Sequence, residues 1–479
     1  MVKIKGYRIF GWVVLIASFA ACKVPQVAER NLGRNMPSSF QSTYKTDSSN
    51  TAQLIWNEYF TDSNLNALID TALLNNQELN MQLLELEIAR NEIQAKKGEY
   101  LPFAGLKGNT GVEKVPHYTS QGANDANTEI KPGKEMPDPL GDFSLGVYAS
   151  WEVDIWNKLH NAKKSTVAKY LATVEGKNFM LTHIVAEIAN SYYELLALDN
   201  QLSILTKNIE IQSNALTIVK LQKEAARVTE LAVKRFEAQV FQTKGVQFDI
   251  EQKIVETQNR INFLVGRYPQ EIKRSSIEFN GLKPNTLLAG IPSQLLQNRP
   301  DIKQAEFDLV AAKLNVKVAK ANFYPNVSIS ASLGLRAFNP VYLAKMPESL
   351  LSSLVGDLAA PLVNRNAIKT FYYNANAKQV QAAYNYELTI LNAYMEVANQ
   401  LSNIYNLEKK YLLKTKQVEA LNLSVKISNE LFVSARADYM EVLLTQRDAL
   451  ESKFELVETK KMQMNAMVNI YKALGGGWR

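Results

Sequence analysis

Several short blocks of this chain recur in the same order and at a nearly constant offset, and this duplication restricts the fold more than any other feature. Gln94–Pro102 (QAKKGEYLP) is similar to Lys317–Pro325 (KVAKANFYP). Trp156-Asn157-Lys158 matches Val363-Asn364-Arg365 in position. Asn190-Ser191-Tyr192-Tyr193-Glu194 is similar to Asn392-Ala393-Tyr394-Met395-Glu396. Arg227-Val228-Thr229-Glu230-Leu231 lines up with Arg436-Ala437-Asp438-Tyr439-Met440. The helix that follows ends at Leu264-Val265-Gly266 in one copy and at Ala473-Leu474-Gly475 in the other. A unit of roughly two hundred residues is written twice.

Each copy reads as short helix, strand, loop, strand, long helix, turn, helix. Asp62 is placed to cap a first helix whose apolar face is Leu65, Leu68, Ile69, Ala72 and Leu73. A second helix is expected over about Gln77 to Lys97, with Leu83, Leu86 and Ala89 beside Glu85, Glu87 and Arg90, and Pro102 ends its register. In the second copy Pro300-Asp301 opens a helix to about Phe323, and Pro325 closes it.

Strands follow both prolines. Val327, Ile329, Ala331, Leu333 and Leu335 alternate with Ser328, Ser330, Ser332, Gly334 and Arg336. Phe143, Leu145, Val147, Ala149 and Trp151 alternate with Ser144, Gly146, Tyr148, Ser150 and Glu152. This is a period of two with one apolar and one small, polar face. Leu101–Val115 and Leu350–Leu362 are less regular partners. The connecting loops are Pro116–Leu140, rich in Pro, Gly and Asn, and the shorter Asn339–Glu348.

The period then becomes helical. Proline is absent from about Asn157 to Glu224 and from about Asn366 to Val433, and each run would be about 100 Å long as continuous helix. Ile390, Tyr394, Val397, Leu401, Ile404 and Tyr411 fall at steps that give a coiled-coil-like seam. Return helices are expected over Thr243–Val265 and Leu443–Leu474. The chain is therefore α+β, mostly helical and internally duplicated. Helices this long suit a tube or rod better than a compact enzyme.

Four strands cannot close a barrel, and an open edge in lipid leaves N–H and C=O groups unpaired at several kcal/mol each. If these strands lie in a membrane, copies of the chain must join: two would supply eight strands, three would supply twelve. The Ser and Gly face would then line a wet lumen and the Leu, Val and Phe face would meet lipid.

The amino terminus carries Lys3, Lys5 and Arg8 before an apolar run from Ile9 to Ala21, the length of a signal h-region and too short to span. It ends in Phe19-Ala20-Ala21-Cys22, which resembles a bacterial lipobox with Cys22 as the lipidated residue. Cys22 is the sole cysteine, so none remains for a disulfide or a thiolate metal site. The net charge is +7, and three of the positive charges lie in that leader. The remaining charges are interspersed, which does not call for nucleic acid.

Leu295-Leu296-Gln297-Asn298-Arg299-Pro300-Asp301-Ile302, with Ala305-Glu306 and Ala319–Pro325, resembles the signature of TolC-like outer-membrane efflux proteins. Ser150-Trp151-Glu152-Val153-Asp154-Ile155-Trp156 is similar to their strand end, and Tyr471-Lys472-Ala473-Leu474-Gly475-Gly476-Gly477-Trp478 to their carboxy-terminal block. With the lipobox, this points to the lipoprotein branch serving resistance-nodulation-division pumps. The resemblance implies a homotrimer in the outer membrane of a Gram-negative bacterium: a twelve-stranded β-barrel on a twelve-helix periplasmic tunnel. It also implies partners, namely a periplasmic adaptor, an inner-membrane pump and outer-membrane lipid, with no nucleic acid and no cofactor beyond the lipid on Cys22. The expected division is 1–21 signal, 22–55 extension, 56–266 first repeat, 267–294 equatorial linker, 295–474 second repeat and 475–479 tail. The strands are expected at about 101–115, 142–156, 325–337 and 350–363. Where the family often has glycine, Asn157 and Asn364 stand after the strand motif, and Ala226 and Ala435 in the tip turns.

The nearest thing to a site is the helix-hairpin tip. The resemblance implies a periplasmic gate there, with Asp438, Arg436, Tyr439, Arg227 and Glu230 as candidates. Rings of Asp438 around an axis would favour cations and repel one another. The alternative is that these are solvated turn residues capping the return helices. His117, His160 and His183 show no metal-ligand spacing. No phosphate-binding, nucleophile-elbow or zincin motif is present, so the chain reads as a conduit and not an enzyme. Trp151 and Trp478 read as packing or interface anchors, and Gly475–Gly477 as a helix stop. A type I protein-secretion channel would use the same conduit, and a lipid-anchored coiled-coil scaffold without a pore is the reading from another class.

Overall fold

The computed structural model describes residues 24–25, 36–40, 50–274, 279–282, 288–361, 363–434 and 436–479. The expected signal segment and Cys22 lie outside the described residues. Helices α1 (Ser63–Asn75) and α2 (Gln77–Glu99) lead to strands β1 (Phe103–Glu113) and β2 (Leu140–Val153), then to helices α3 (Lys158–Glu224) and α4 (Glu230–Val265). The same order returns as α5 (Pro300–Ala321), β3 (Asn326–Ala337), β4 (Leu350–Ala359), α6 (Asn366–Val433) and α7 (Tyr439–Ala473). The fold is α+β, mostly helical and duplicated. The chain divides into two compact units.

The unit built from 87–171 and 307–384 holds a four-stranded antiparallel sheet in the order β1-β2-β3-β4. Leu106 lies opposite Val147, Val147 opposite Leu333, and Leu335 opposite Leu350. With a period of two, this register collects Leu106, Val112, Leu145, Trp151, Ile329, Leu354 and Leu358 on one face. Lys107, Asn109, Ser144, Ser150, Ser330, Arg336 and Asp357 share the other, where Arg336 pairs with Asp142 at 2.8 Å. The apolar face is not covered: Leu106 is 80% exposed and Leu354 79%. Strands β1 and β4 each pair on one side only.

Asn157 and Asn364 hold left-handed conformations, with φ 55° and 53°. Asparagine tolerates this better than most residues, so each reverses the chain from strand into long helix without a glycine. Asp154 starts α3 by accepting the backbone N–H groups of Leu159 (3.0 Å) and His160 (2.8 Å). Trp156 is held by stacking on Tyr324 at 4.7 Å and by donating its indole N–H to the Pro325 carbonyl at 2.7 Å. Trp151 donates to the Tyr100 carbonyl at 3.0 Å.

The unit built from 32–86, 172–306 and 385–479 is held by apolar helix faces. Leu65, Leu68, Ile69 and Ala72 of α1 pack with Ile188, Tyr192 and Leu195 of α3 and Ile250 and Ile261 of α4. Asp62 caps α1 by accepting from Asn64 N–H at 2.8 Å, and its other oxygen accepts the Tyr192 hydroxyl at 2.8 Å. The α6 seam is present: Val397 and Leu401 are buried against Leu295, Ile302 and Ile470, flanked by Ile390, Tyr394 and Ile404. Gly475 ends α7 at φ 90°, where an added Cβ would sit 2.6 Å from the Asn298 carbonyl oxygen, so both conformation and space demand glycine.

One expectation is corrected. The return helices begin at Glu230 and Tyr439, earlier than the Thr243 and Leu443 read from the sequence. The missed stretch is helical because Ala232, Val233, Phe236 and Val240 form a buried stripe at helical spacing. The loop 116–140 contains a short helix, Ser120–Asp125, capped by Thr119, and a ribbon of Glu129–Lys131 against Lys134–Glu135. Among the described residues no helix is long and apolar enough to cross a membrane.

Replacing Asn157 by Gly should leave thermal stability near wild type, whereas Asn157→Val should cost about 1–2 kcal/mol, the left-handed penalty for a side chain that cannot relieve it. Melting followed by circular dichroism in detergent checks both.

Candidate functional site

The tips of the two helix hairpins are built alike. At the end of α3, Ala226 takes φ 54°, its N–H bonds to the Lys223 carbonyl at 3.0 Å, and Arg227 N–H reaches back to the Gln222 carbonyl at 2.8 Å. This is the Schellman pattern that satisfies the last carbonyls of a helix. The second tip repeats the longer bond, from Arg436 N–H to the Leu431 carbonyl at 2.8 Å. Two residues on, Thr229 and Asp438 occupy the N-cap positions of α4 and α7. Neither side chain makes a capping hydrogen bond. The Asp438 carboxylate is exposed and is not used to cap its helix.

The structure brings both tips onto one apolar cluster. Val219, Ala232, Val233 and Phe236 of the first hairpin pack with Val442 and Leu443 of the second, and Val228, Phe432 and Tyr439 lie against them. Tyr439 is therefore partly buried, while Arg227, Glu230, Arg436 and Asp438 are exposed. Glu230 is tied down within its own tip, 2.9 Å from Lys223 and 4.0 Å from Lys234. The hydrogen bond from Lys223, and then its charge, holds the Glu230 carboxyl below the usual glutamate range. Arg235 donates to the Met440 sulfur at 3.3 Å, a polar link between hairpins.

A second constellation was not singled out from the sequence as a site. Arg299, 7% exposed, makes a bidentate pair with Asp301 (3.0 and 2.7 Å). Its remaining amino group donates to Glu396 at 2.7 Å and to the Ala473 carbonyl at 2.7 Å. Trp478 donates to the Asn298 carbonyl at 3.1 Å and to the Gly475 carbonyl at 2.9 Å, with the Lys303 ammonium 5.4 Å over its ring. The Arg-Pro-Asp block, the repeated Glu396 and the carboxy-terminal Gly-Trp block are thus one buried knot joining α5, α6 and α7. Charges in such a site need full pairing, and here the guanidinium has it. The signal was present, because a Pro at a helix start flanked by Arg and Asp invites such a pair. The partners Glu396 and Ala473 are too distant in sequence to be guessed.

The histidines have local partners. His117 lies 2.7 Å from Asp138, His160 lies 2.6 Å from Asp154 and stacks on Tyr100, and half-buried His183 meets the Phe179 ring edge-on at 4.7 Å. Among the described residues no group of His, Cys, Asp and Glu could hold a metal ion.

The family model for "Outer membrane efflux protein" matches residues 68–267 and 291–476, most of the chain. This chain belongs to the outer membrane efflux protein family. It is 26% identical over 435 residues to the pyoverdine export outer membrane protein OpmQ of Pseudomonas aeruginosa, covering 91% of this chain and 89% of that one. It is 24% identical over 424 residues to the cation efflux system protein CusC of Escherichia coli, covering 88% of each. The fold is shared with the open-state MtrE outer membrane channel of Neisseria gonorrhoeae, at a TM-score of 0.82 and 21% identity over 95% of this chain and 98% of that one. The chain is an outer-membrane efflux channel component.

Arg299→Met should destabilise the fold by about 3–5 kcal/mol, because Asp301 and Glu396 would keep their charges in a partly buried site without a partner; thermal unfolding in detergent reads it. At the first tip the sign is set by the depressed Glu230 carboxyl. The Lys223 contact favours the folded turn above the unfolded carboxyl value and is lost as pH falls through the folded one. Amide exchange over residues 225–230, corrected for the intrinsic rate, should accelerate as pH falls below about 4.5. Glu230→Gln should remove that pH dependence.

Proposed function

We propose that the chain is the passive outer-membrane conduit of a tripartite efflux assembly, working with a periplasmic adaptor and an inner-membrane resistance-nodulation-division pump, and that it has no enzymatic activity of its own. One observation carries this reading: an amphipathic four-stranded sheet whose two outer strands each have, among the described residues, one unpaired edge. In lipid those edges must be closed by copies of the same sheet. Two copies would give a barrel of about eight strands, whose interior is filled by side chains, whereas about twelve leave room for water. The face bearing Lys107, Asn109, Arg336 and Asp357 suits that water, so a homotrimer is favoured. Cys22 is proposed as the lipid anchor.

Periplasmic control is assigned to the hairpin tips, with Asp438, Arg436, Arg227 and Glu230 as exposed charges and Tyr439 as the apolar brace behind them. What supports Asp438 is that its carboxylate is exposed and free of capping duty. Around a threefold axis it would form a ring of like charge that attracts cations. The names of the relatives range from cation efflux to pyoverdine export. Cargo choice is accordingly placed in the pump and not in the channel.

Purified full-length protein should conduct in planar bilayers as a trimer. Asp438→Asn should change conductance and reduce cation preference while the oligomer on a native gel stays intact. A trimer that never conducts would sink the conduit reading in favour of a scaffold. Conductance unaltered by Asp438→Asn would remove that residue from the gate.

A further inference from the structure

At the end of the sheet away from α2 and α3, the two connecting loops bring basic and aromatic side chains together. Lys131 donates from its ammonium to the Tyr342 hydroxyl at 2.7 Å and lies 5.0 Å from the centre of that ring. Lys345 lies 5.2 Å from the same ring, and Lys134 lies 5.7 Å from the ring of Phe338. Phe338 and Tyr342 are themselves 5.0 Å apart. Three ammonium groups therefore converge on one aromatic pair, and among the described residues none of them forms an ion pair with a carboxylate. Of the two carboxylates in the ribbon, Glu129 accepts the Gly133 N–H at 2.9 Å and Glu135 lies opposite Glu129. The Tyr342 hydroxyl is held below the ordinary tyrosine range, first by the hydrogen bond from Lys131 and then by the charges of Lys131, Lys134 and Lys345.

This arrangement is costly without an anion. Lys131 and Lys134 are directly opposite one another in the ribbon, across Pro132-Gly133. Like charges so placed destabilise a hairpin. A bound phosphoryl group would reverse the sign of that interaction. The position in the fold says which phosphate. The apolar face of the sheet continues to Leu335 and Leu350, which pair with each other. Lys345 precedes Leu350 by a short turn, and Phe338 follows directly on β3. Lysines and a tyrosine just past the end of an apolar band stand at the depth of lipid headgroups.

We propose that Lys131, Lys134 and Lys345, set around Phe338 and Tyr342, bind the phosphoryl groups of a phosphorylated glycolipid in the outer leaflet. The ammonium groups neutralise the phosphates and the two rings offer apolar faces to the sugar. The site rests on the outer-membrane channel reading, because only that reading puts these loops at the outer leaflet. It would fasten the loops to the surrounding lipid and offset the repulsion within the ribbon.

The test uses full-length protein in detergent, with native mass spectrometry reading bound lipid. The probes are diphosphoryl lipid A, its dephosphorylated form and inorganic phosphate. Diphosphoryl lipid A should be retained. It should bind about a hundredfold more weakly to a Lys131→Gln, Lys134→Gln, Lys345→Gln variant, as loss of three basic residues at an anionic surface implies. Added salt should weaken the wild-type interaction. Equal retention of the dephosphorylated lipid, or of lipid A by the triple variant, would overturn the site. Displacement of the lipid by inorganic phosphate would overturn the lipid as its occupant and leave a free-phosphate site. Bilayer conductance is recorded on the same samples. The variant should conduct like wild type, whereas a wild type that does not conduct counts against the channel reading and not against the lysines.

Discussion

Backbone groups on the margins of a sheet have nowhere to turn in hydrocarbon. Strands β1 and β4 each leave one margin open, and every strand carries at least one exposed leucine on the apolar face. Both features would be faults in a protein surrounded by water, the first as a template for aggregation and the second as an uncovered patch. Together they are what a barrel segment needs. The duplicated halves each contribute one hairpin, and β2 and β3 join them through eleven residue pairs from Phe143–Ala337 to Val153–Val327. The duplication thus doubles the sheet without closing it, and closure is left to other copies.

The junctions from strand to helix follow from a few backbone positions. Asn157 and Asn364 turn the chain at equivalent places by the same left-handed conformation. The first tip uses the same device one long helix later, with Ala226 left-handed. Beyond this shared geometry the tips have diverged. Where the first carries Glu230, bound to Lys223 across the turn, the second carries Tyr439, which faces the apolar cluster. The N-cap position is Thr229 in one and Asp438 in the other. One tip is braced by an ion pair and the other by an aromatic ring, and the carboxylate that does not cap its helix falls on the second. That asymmetry gives the gate proposal its specific residue.

The buried arginine knot shows a different division of labour. Arg299 and Asp301 are near neighbours, and their bidentate pair is a local consequence of a helix opened by Pro300. Glu396 and the Ala473 carbonyl come from the other helices of the second copy. The most recognisable block of the sequence therefore reports packing of the helical unit, and the tips that carry the proposed control have far plainer sequences.

Sequence alone determined what depends on neighbours a few residues away. Alternation of Val327 to Arg336 sets a strand with two unlike faces, proline-free runs set the long helices, Asp62 sets a cap and Asn157 a reversal, because each is a matter of local sterics and period. The early start of the return helices was also written in Ala232, Val233 and Phe236, but short apolar stripes next to a turn are easily read as loop. Tertiary structure alone decided which residues of β2 share a face with which residues of β3, since one residue of slip would exchange the faces. It also decided that Asp438 does not cap its helix, that Tyr439 is braced by both hairpins, and that Lys131, Lys134 and Lys345 meet over two rings. Those outcomes depend on groups far apart in the chain whose approach is fixed by packing and register, and a linear pattern of charges and apolar residues does not encode such distances.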